Sequence, residues 1–534
     1  MLKKPLPDRV IRRIAARAEL PVLFVFYIAC LLLVSSPRGP TGDAFDYSIL
    51  TKSLVDDHSW EAAPSVGADP KNMVRAPDGR TYSFFPAGQS LILVPFYFFG
   101  KVVSAWARAE NQPMIELLSW HLTSAALTAL TGALLCSFLM TRFGAAKALA
   151  FLVSALYVFA TMALPYSKLH YSEPLLALLV LLAAHALVSP LSPRSLPLLS
   201  AAIGAMVLTK PAFVLLAPVF IALFLWYRNG RGITFRDVAW AALAAAPFAL
   251  VFGYWNFIRT GSMWDIGRSA PVMAQNQFSL RYLPESLRVL IGTKRNPVLF
   301  NPVLALALVG LFLSPDRHYR RVALGLFAAQ AVAFGMFAAA TSQGAWAWGP
   351  RYAMPFLILF FPFVAVCLSQ AWHSRVRWLV STGSGLVIAI SLYVQFLAVS
   401  FHFSSEYHVC AVYREVVSAH PEEFPDARPC NALSDAIYIR HYMAWQVSPD
   451  SINSGKVVDF PWIEREHAVP LARLVFDSKV AGDLVAKDYL FFSTSTRDPN
   501  AAEFMSRIRM LLCAIAGLSL SFLGVCLVCF GKVR

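Results

Sequence analysis

Charge is what this sequence has least of. Asp, Glu, Lys and Arg make up only 14% of its 534 residues, where a soluble domain carries about a quarter, so bulk water is excluded as its main solvent. No G-x-G-x-x-G or P-loop stretch occurs in the chain, which removes the usual fingerprints of a soluble nucleotide site. The basic N-terminal stretch, with Lys3, Lys4, Arg9, Arg12, Arg13 and Arg17, runs into an apolar segment without a small-residue cleavage site. That segment therefore reads as a retained span and not as a signal peptide. Carboxylates are missing from the middle of the apolar runs. Between Ala148 and Ser400 the acids are Glu173, Asp237, Asp265, Glu285 and Asp316, all in loops or at span edges, whereas an ion-coupled transporter needs them near the bilayer midplane. A formal charge of +15 would suit nucleic acid, but the cations are scattered through short loops, and no nucleic-acid partner is expected.

What fills the chain is hydrophobic sequence, 57% of all residues. A spanning helix needs about 20 mostly apolar residues, and such runs recur from Leu20 to Ser400 and again from Met510 to Phe530. Positive residues gather in cytoplasmic loops, and one assignment satisfies that rule. It places spans near 20 to 36, 114 to 140, 148 to 164, 174 to 188, 197 to 209, 212 to 227, 238 to 258, 298 to 313, 322 to 341, 353 to 371, 379 to 400 and 509 to 530. Arg142/Lys147, Arg194, Arg228/Arg231/Arg236, Arg317/Arg320/Arg321, Arg375/Arg377 and Lys532/Arg534 then face inward, as do both termini. The assignment works only if Phe85 to Val103, interrupted by Pro86, Gly88 and Pro95, lies along the outer interface without crossing. The expectation is a mostly α, polytopic membrane bundle of about twelve spans in the plasma (inner) membrane. Residues 1–400 form the main module, with 37–113 as its first outer loop, and 509–534 form the last span and tail.

Residues 401–508 are the one sizeable polar segment late in the chain, and the charge pattern puts it outside. It is expected to form a small extracytoplasmic α/β or mixed domain. Apolar runs at Leu471 to Phe476 and Tyr489 to Phe492 offer it a core. Cys410 and Cys430 share this segment while the other six cysteines lie in spans. Disulfides persist outside, so a bridge is favoured over two free thiols.

On the outer side, polar residues come from four loops. The first opens Thr41-Gly42-Asp43-Ala44-Phe45-Asp46-Tyr47. A helix starting near Gly42 would set Asp43 and Asp46 on one face, where a carboxylate can take a proton from a hydroxyl. The plainer alternative, equally weighted from spacing alone, is that both acids only complement the helix dipole. The second loop, Tyr166-Ser167-Lys168-Leu169-His170-Tyr171-Ser172-Glu173-Pro174, packs Lys168, His170 and Glu173 between two apolar spans. Glu173 would equally serve as an N-terminal helix acid. Lys210, in Thr209-Lys210-Pro211, sits at the turn of a hydrophobic hairpin, where it either snorkels or meets a phosphate. Arg351 follows Trp346-Ala347-Trp348-Gly349-Pro350. A guanidinium on a stiff, aromatic loop suits bidentate phosphate binding, with an interfacial Arg as the alternative. Most of Lys71, Arg75, Arg80, Arg268, Arg281, Arg288, Lys294 and Arg295 are read as contacts to lipid headgroups, with no catalytic role assigned, and Leu280, Leu283, Leu287 and Leu290 as one face of an interfacial helix.

Taken together these loops resemble the GT-C superfamily of membrane glycosyltransferases, bacterial relatives of protein mannosyltransferases and lipid A aminoarabinose transferases, over roughly residues 20 to 400. Gly42-Asp43 to Tyr47 is similar to the family's acidic motif after its first span, and Lys52-Ser53-Leu54 to the segment that follows. Tyr82-Ser83-Phe84-Phe85-Pro86-Ala87-Gly88 resembles the Tyr-x-x-x-Pro-x-Gly lead into an interfacial helix. Tyr171-Ser172-Glu173-Pro174, Thr209-Lys210-Pro211 and Gly349-Pro350-Arg351-Tyr352 resemble later segments.

The resemblance implies an inverting enzyme that moves a sugar, a pentose such as arabinose or a hexose such as mannose, from a polyprenyl-phosphate carrier. The acceptor would be extracytoplasmic: a glycan, a lipid, or a protein such as pilin. It implies Asp43 as catalytic base with Asp46 beside it. Arg351, Lys210, His170, Lys168, Glu173 and Tyr82 would bind donor phosphate or substrate. Ala44 and Phe85 depart from the family pattern and leave a divalent cation open, with no other cofactor expected. The competing class is a flippase for polyprenyl-linked sugars, driven by lipid gradients alone.

Overall fold

The structure is a computed structural model. It describes residues 8–35, 43–61, 73–168, 170–189, 192–228, 232–266, 277–292, 294–338, 348–373, 377–401, 405–424, 430, 436–445 and 499–530. The chain is mostly helical: α1 (Asp8–Leu33), α2 (Asp43–Asp56), a hairpin of β1 (Met73–Arg75) and β2 (Thr81–Ser83), then α3 (Ala87–Ser104), α4 (Gln112–Arg142), α5 (Lys147–Phe159), α6 (Glu173–Leu187), α7 (Ser195–Thr209), α8 (Ala217–Tyr227) and α9 (Phe235–Thr260). The second half holds α10 (Leu283–Ile291), α11 (Leu304–Leu313), α12 (Arg317–Gly335), α13 (Phe361–His373), α14 (Arg377–Ser400), α15 (Ser405–Ala419), α16 (Ala436–Trp445) and α17 (Pro499–Phe530).

Each of the twelve apolar segments is helical over most of its described residues. By length and composition, five helices among the described residues can cross a membrane unaided, and seven more apolar helices are only 10–17 residues long. Ten residues of helix rise about 15 Å, half the hydrocarbon thickness, so the short ones depend on the loops that extend them. The large core is built where α4, α5, α6, α11 and α13 meet. Backbones approach closely there: a Cβ on Gly310 of α11 would fall 1.8 Å from the Phe363 carbonyl oxygen of α13.

α3 is one of the five helices long and apolar enough to cross. Its end, however, is tied to the first third of α4, and its start to a loop residue packed against that same stretch. Near its start, Gln89 Nε2 donates to the His170 carbonyl (3.1 Å), and the His170 ring sits 5.0 Å from that of His121 on α4. Near its end, Lys101 pairs with Glu116 of α4 at 3.7 Å. The two α4 residues are about 7.5 Å apart along their helix, while the two α3 residues are about 18 Å apart along theirs. A helix running through the bundle beside α4 would separate the ties by its full length, so the geometry fits a helix lying across one end. α2 runs alongside it, with Thr51 Oγ1 donating to the Ser90 carbonyl and Tyr97 Oη to Asp56.

The β1–β2 hairpin was not foreseen. It turns at Pro77-Asp78-Gly79, where Gly79 has φ 84°, a left-handed conformation that glycine adopts freely. Within 401–508 the described residues are mostly helical, with 420–424 and Cys430 outside helices, and the apolar runs at 471–476 and 489–492 lie outside the described residues. Cys410 of α15 and Cys430 form a disulfide closing a 20-residue separation, a length that constrains the unfolded chain by roughly 3 kcal/mol. α16 docks on the end of α14: the wholly buried Arg440 donates to the Ala398 carbonyl at 2.7 Å. The last helix starts at Pro499, ten residues ahead of the expected span, because Glu503 and Arg507 extend it as an exposed i, i+4 pair.

The placement of α3 predicts that Arg108→Cys, just beyond its end, is labelled by a membrane-impermeant thiol reagent applied from outside intact cells. Labelling only after permeabilisation would mean that α3 crosses.

Candidate functional site

Four segments far apart in sequence meet at the end of the bundle where α2 begins. Asp43 is the first residue of α2 and Glu173 the first of α6, so both carboxylates sit where helix dipoles favour negative charge. Lys210 ends α7 in an extended conformation (φ −149°, ψ 98°) imposed by Pro211. Gly88 makes room for this turn: a Cβ there would lie 2.7 Å from the Thr209 backbone.

Arg351 joins the cluster. Its Nε donates to Glu173 Oε1 and its Nη2 to Asp43 Oδ2, each at 2.7 Å. Lys210 Nζ approaches the same Glu173 oxygen at 3.4 Å. The two cations each cover a ring, Arg351 over Tyr171 at 4.3 Å and Lys210 over Tyr352 at 4.5 Å, contacts that strengthen away from water. Burial works against charge on Arg351, yet Glu173 and Asp43 outweigh it and hold the guanidinium protonated. Burial also lowers the Lys210 ammonium below its usual range, with Glu173 opposing the shift.

Exposure divides the two carboxylates. The Glu173 side chain is 1% exposed and the Asp43 side chain 35%. Glu173 is thus an internal counter-ion that aims both cations, while Asp43 stands at the mouth. Asp46, one turn on, is buried at 4%.

The loop carrying Arg351 is fixed from three sides. Gly349 turns it with φ 66°, Tyr166 Oη donates to the Trp348 carbonyl (3.0 Å), and Arg295 Nη1 donates to the Gly349 carbonyl (3.2 Å). Arg440 covers the Trp348 ring at 4.7 Å. Arg295, grouped by sequence with the headgroup contacts, is corrected here: it is wholly buried, and its guanidinium donates to the Gly349 carbonyl. No signal in the sequence separated Arg295 or Arg440 from the exposed arginines around them.

Three other candidates are placed in different surroundings. Lys168 Nζ donates to the Val399 carbonyl at 2.7 Å, a tie between a loop and the end of α14. His170 is 1% exposed, and burial, with His121 adding to it, pushes its imidazole well below the usual range. A neutral ring cannot supply the positive charge expected of it near a phosphate. Tyr82 packs with Leu50, Ala87 and Trp255 and lines a separate cavity of about 480 Å³ beside Trp60, Asp78 and Arg80. Among the described residues no group of three or more His, Cys, Asp or Glu is gathered as for a metal. The two carboxylates present are already answered by two protein cations, so this donor set does not fit a divalent ion.

No family model matches the chain, and no curated protein matches it. Among solved structures, ArnT from Cupriavidus metallidurans bound to undecaprenyl phosphate aligns over 96% of this chain and 78% of that one, with TM-score 0.47 and 12% identity. The same protein in the apo state aligns over 89% of each chain, with TM-score 0.41 and 13% identity. Likenesses of this size assign neither substrate nor reaction.

The unequal burial of the two acids predicts unequal costs. Glu173→Ala strands two cations and should destabilise by about 3 kcal/mol, whereas Asp43→Asn should leave the melting temperature in detergent within a degree or two of wild type. Because folding depresses the His170 pKa, the unfolded state takes up the proton first. Stability is therefore full above the ordinary imidazole pKa of about 6.5 and falls as pH drops below it. His170→Gln should flatten that decline in melting curves recorded at descending pH.

Proposed function

We propose that the chain is an inverting membrane glycosyltransferase that moves a sugar from a polyprenyl phosphate to an acceptor hydroxyl. The observation that supports this most is the Arg351 guanidinium, held between the buried Glu173 and the accessible Asp43 with Lys210 alongside. Such an arrangement offers a base at the mouth and two oriented cations behind it.

In the reaction the acceptor oxygen bonds to the anomeric carbon as the bond from that carbon to the phosphate oxygen breaks. The electron pair leaves on the lipid phosphate, and Asp43 takes the hydroxyl proton. Arg351 and Lys210 meet the charge that grows on the phosphate, the kind of electrostatic stabilisation that contributes most to many enzymes. Glu173 holds both cations in place through the cycle and touches no substrate. The Asp43–Arg351 pair suits an ordered start. A phosphate oxygen competes with Asp43 for Nη2, and each Asp43 contact released frees a lone pair for the acceptor proton.

The sugar, pentose or hexose, and the acceptor, glycan, lipid or protein, are decided by surfaces beyond this cluster. We place acceptor selection in the outer segment 401–508 and the active site on the extracytoplasmic face of the plasma membrane. A flippase would need no base at the mouth of the cation cluster, and a turnover assay separates the two.

Asp43→Asn should lower kcat by about 10²- to 10⁴-fold with donor-lipid binding retained; near wild-type turnover would move the base elsewhere, Asp46 first. Arg351→Lys keeps the charge but loses the fork that reaches both carboxylates, so it should impair turnover more than donor binding. Mass spectrometry of surface glycans, glycolipids and glycoproteins with and without the gene should reveal one missing sugar; an unchanged inventory would speak against the reading.

A further inference from the structure

At the opposite end of the bundle from Asp43 lies a second charged site. α7 runs from Ser195 at this end to Thr209 beside Lys210, and α9 runs from Phe235 here to Arg259, which donates to the Phe84 carbonyl near the start of α3. Between the start of α7, the end of α8 and the start of α9 opens a cavity of about 950 Å³. Arg194, Arg228, Arg236, Thr234, Asp237 and Trp240 line it.

Three guanidiniums face one carboxylate, and that carboxylate is already committed. Asp237 Oδ2 accepts from Arg228 Nη2 at 3.0 Å and from the Thr234 backbone at 3.1 Å as part of the capping box that starts α9. Arg194 and Arg236 have no carboxylate in ion-pair reach among the described residues, and the buried Nε of Arg228 has no acceptor. The cavity is therefore an uncompensated cationic pocket. Its open side continues onto a face of α9 left uncovered among the described residues, where Trp240, Leu243 and Leu250 are 51%, 62% and 72% exposed. A large exposed apolar face on a membrane helix is covered by acyl chains, and Trp marks the level of the headgroups.

We propose that this pocket binds the phosphodiester headgroup of an anionic membrane lipid, with its chains along Leu243 and Leu250. Guanidiniums match phosphate oxygens in a fork geometry that a carboxylate-bearing peptide would use less fully. Basic pockets between spans on the cytoplasmic side, where the charge pattern puts this end, are suited to acidic headgroups. The bound lipid would clamp α7 to α8 and α9 at the end remote from Lys210. The inference stands apart from the sugar-transfer reading and survives its failure.

The test uses the full chain in neutral detergent, titrated with phosphatidylglycerol or phosphatidylcholine, with bound lipid counted by native mass spectrometry. Phosphatidylglycerol should bind in preference. The double variant Arg194→Gln/Arg236→Gln should weaken it roughly thirtyfold at low salt, and Arg194→Lys/Arg236→Lys should keep most of the affinity. Millimolar inorganic phosphate should leave the lipid bound. Equal binding of both lipids, wild-type affinity in the double Gln variant, or displacement by inorganic phosphate would each overturn the proposal. If the double variant fails to fold, Arg236→Gln alone decides, since Arg236 is exposed: unchanged phosphatidylglycerol affinity there sinks it.

Discussion

A guanidinium withdrawn from water has to find acceptors at hydrogen-bond distance, and Arg351, whose acceptors are two carboxylates, imposes that demand on the whole end of the bundle where α2 begins. Its partners are 308 and 178 residues away in the chain, so the helix starts that carry Asp43 and Glu173 must arrive at one point. A buried charge that loses its partner is far more costly than an exposed one, and this gives the cluster one solution. Lys210 shares the Glu173 oxygen and draws the α7–α8 turn in as well. Gly88 and Thr209 then fix where α3 can begin. The second row of contacts, Arg295 on the Gly349 carbonyl and Tyr166 on that of Trp348, keeps the Arg351 loop from relaxing toward solvent.

Much of this outline was legible in the residues. Scarce charge among long apolar runs located the apolar helices, and the alternation of basic loops singled out 85–103 as the segment that breaks the pattern. The structure ties the end of α3 to one part of α4, and its start to a loop residue packed against that part. The four loops that sequence reasoning singled out supply the four charged residues of the cluster, because a polar group next to an apolar span is rare enough to stand out. What could not be read was depth. Asp43 and Glu173 are the same chemical type at the same kind of helix start, and only packing makes one 35% exposed and the other 1%. The buried arginines Arg295, Arg440 and Arg259 show the same limit, since their partners are backbone carbonyls, which leave no mark in a sequence. The burial of His170 was hidden for a related reason: an imidazole in a loop looks exposed until the loop is seen folded inward.

The two ends of the bundle treat positive charge differently. At the Asp43 end the cations are paired and covered by rings, an arrangement that fixes direction at the cost of desolvation. At the Arg194 end one of three, Arg228, is paired, while Arg194 and Arg236 are left wet, which suits a diffuse, salt-sensitive attraction. The contrast follows from where the acids are, since Glu173 serves one end and Asp237 alone serves the pocket at the other.

Arg440 carries a consequence for the order in which the molecule is made. It belongs to a helix beyond the main bundle, yet its guanidinium covers Trp348, three residues ahead of Arg351, and holds the Ala398 carbonyl at the end of α14. A nascent chain that has inserted its first 400 residues still lacks this clamp. The Tyr166 and Arg295 contacts can hold the loop carrying Arg351 before then, and α16 adds a further clamp once it has been synthesised. A chain that ends before residue 440 lacks the cover on Trp348 and the hold on Ala398, so the outermost layer behind the Arg351 loop comes from the last part of the sequence to be made.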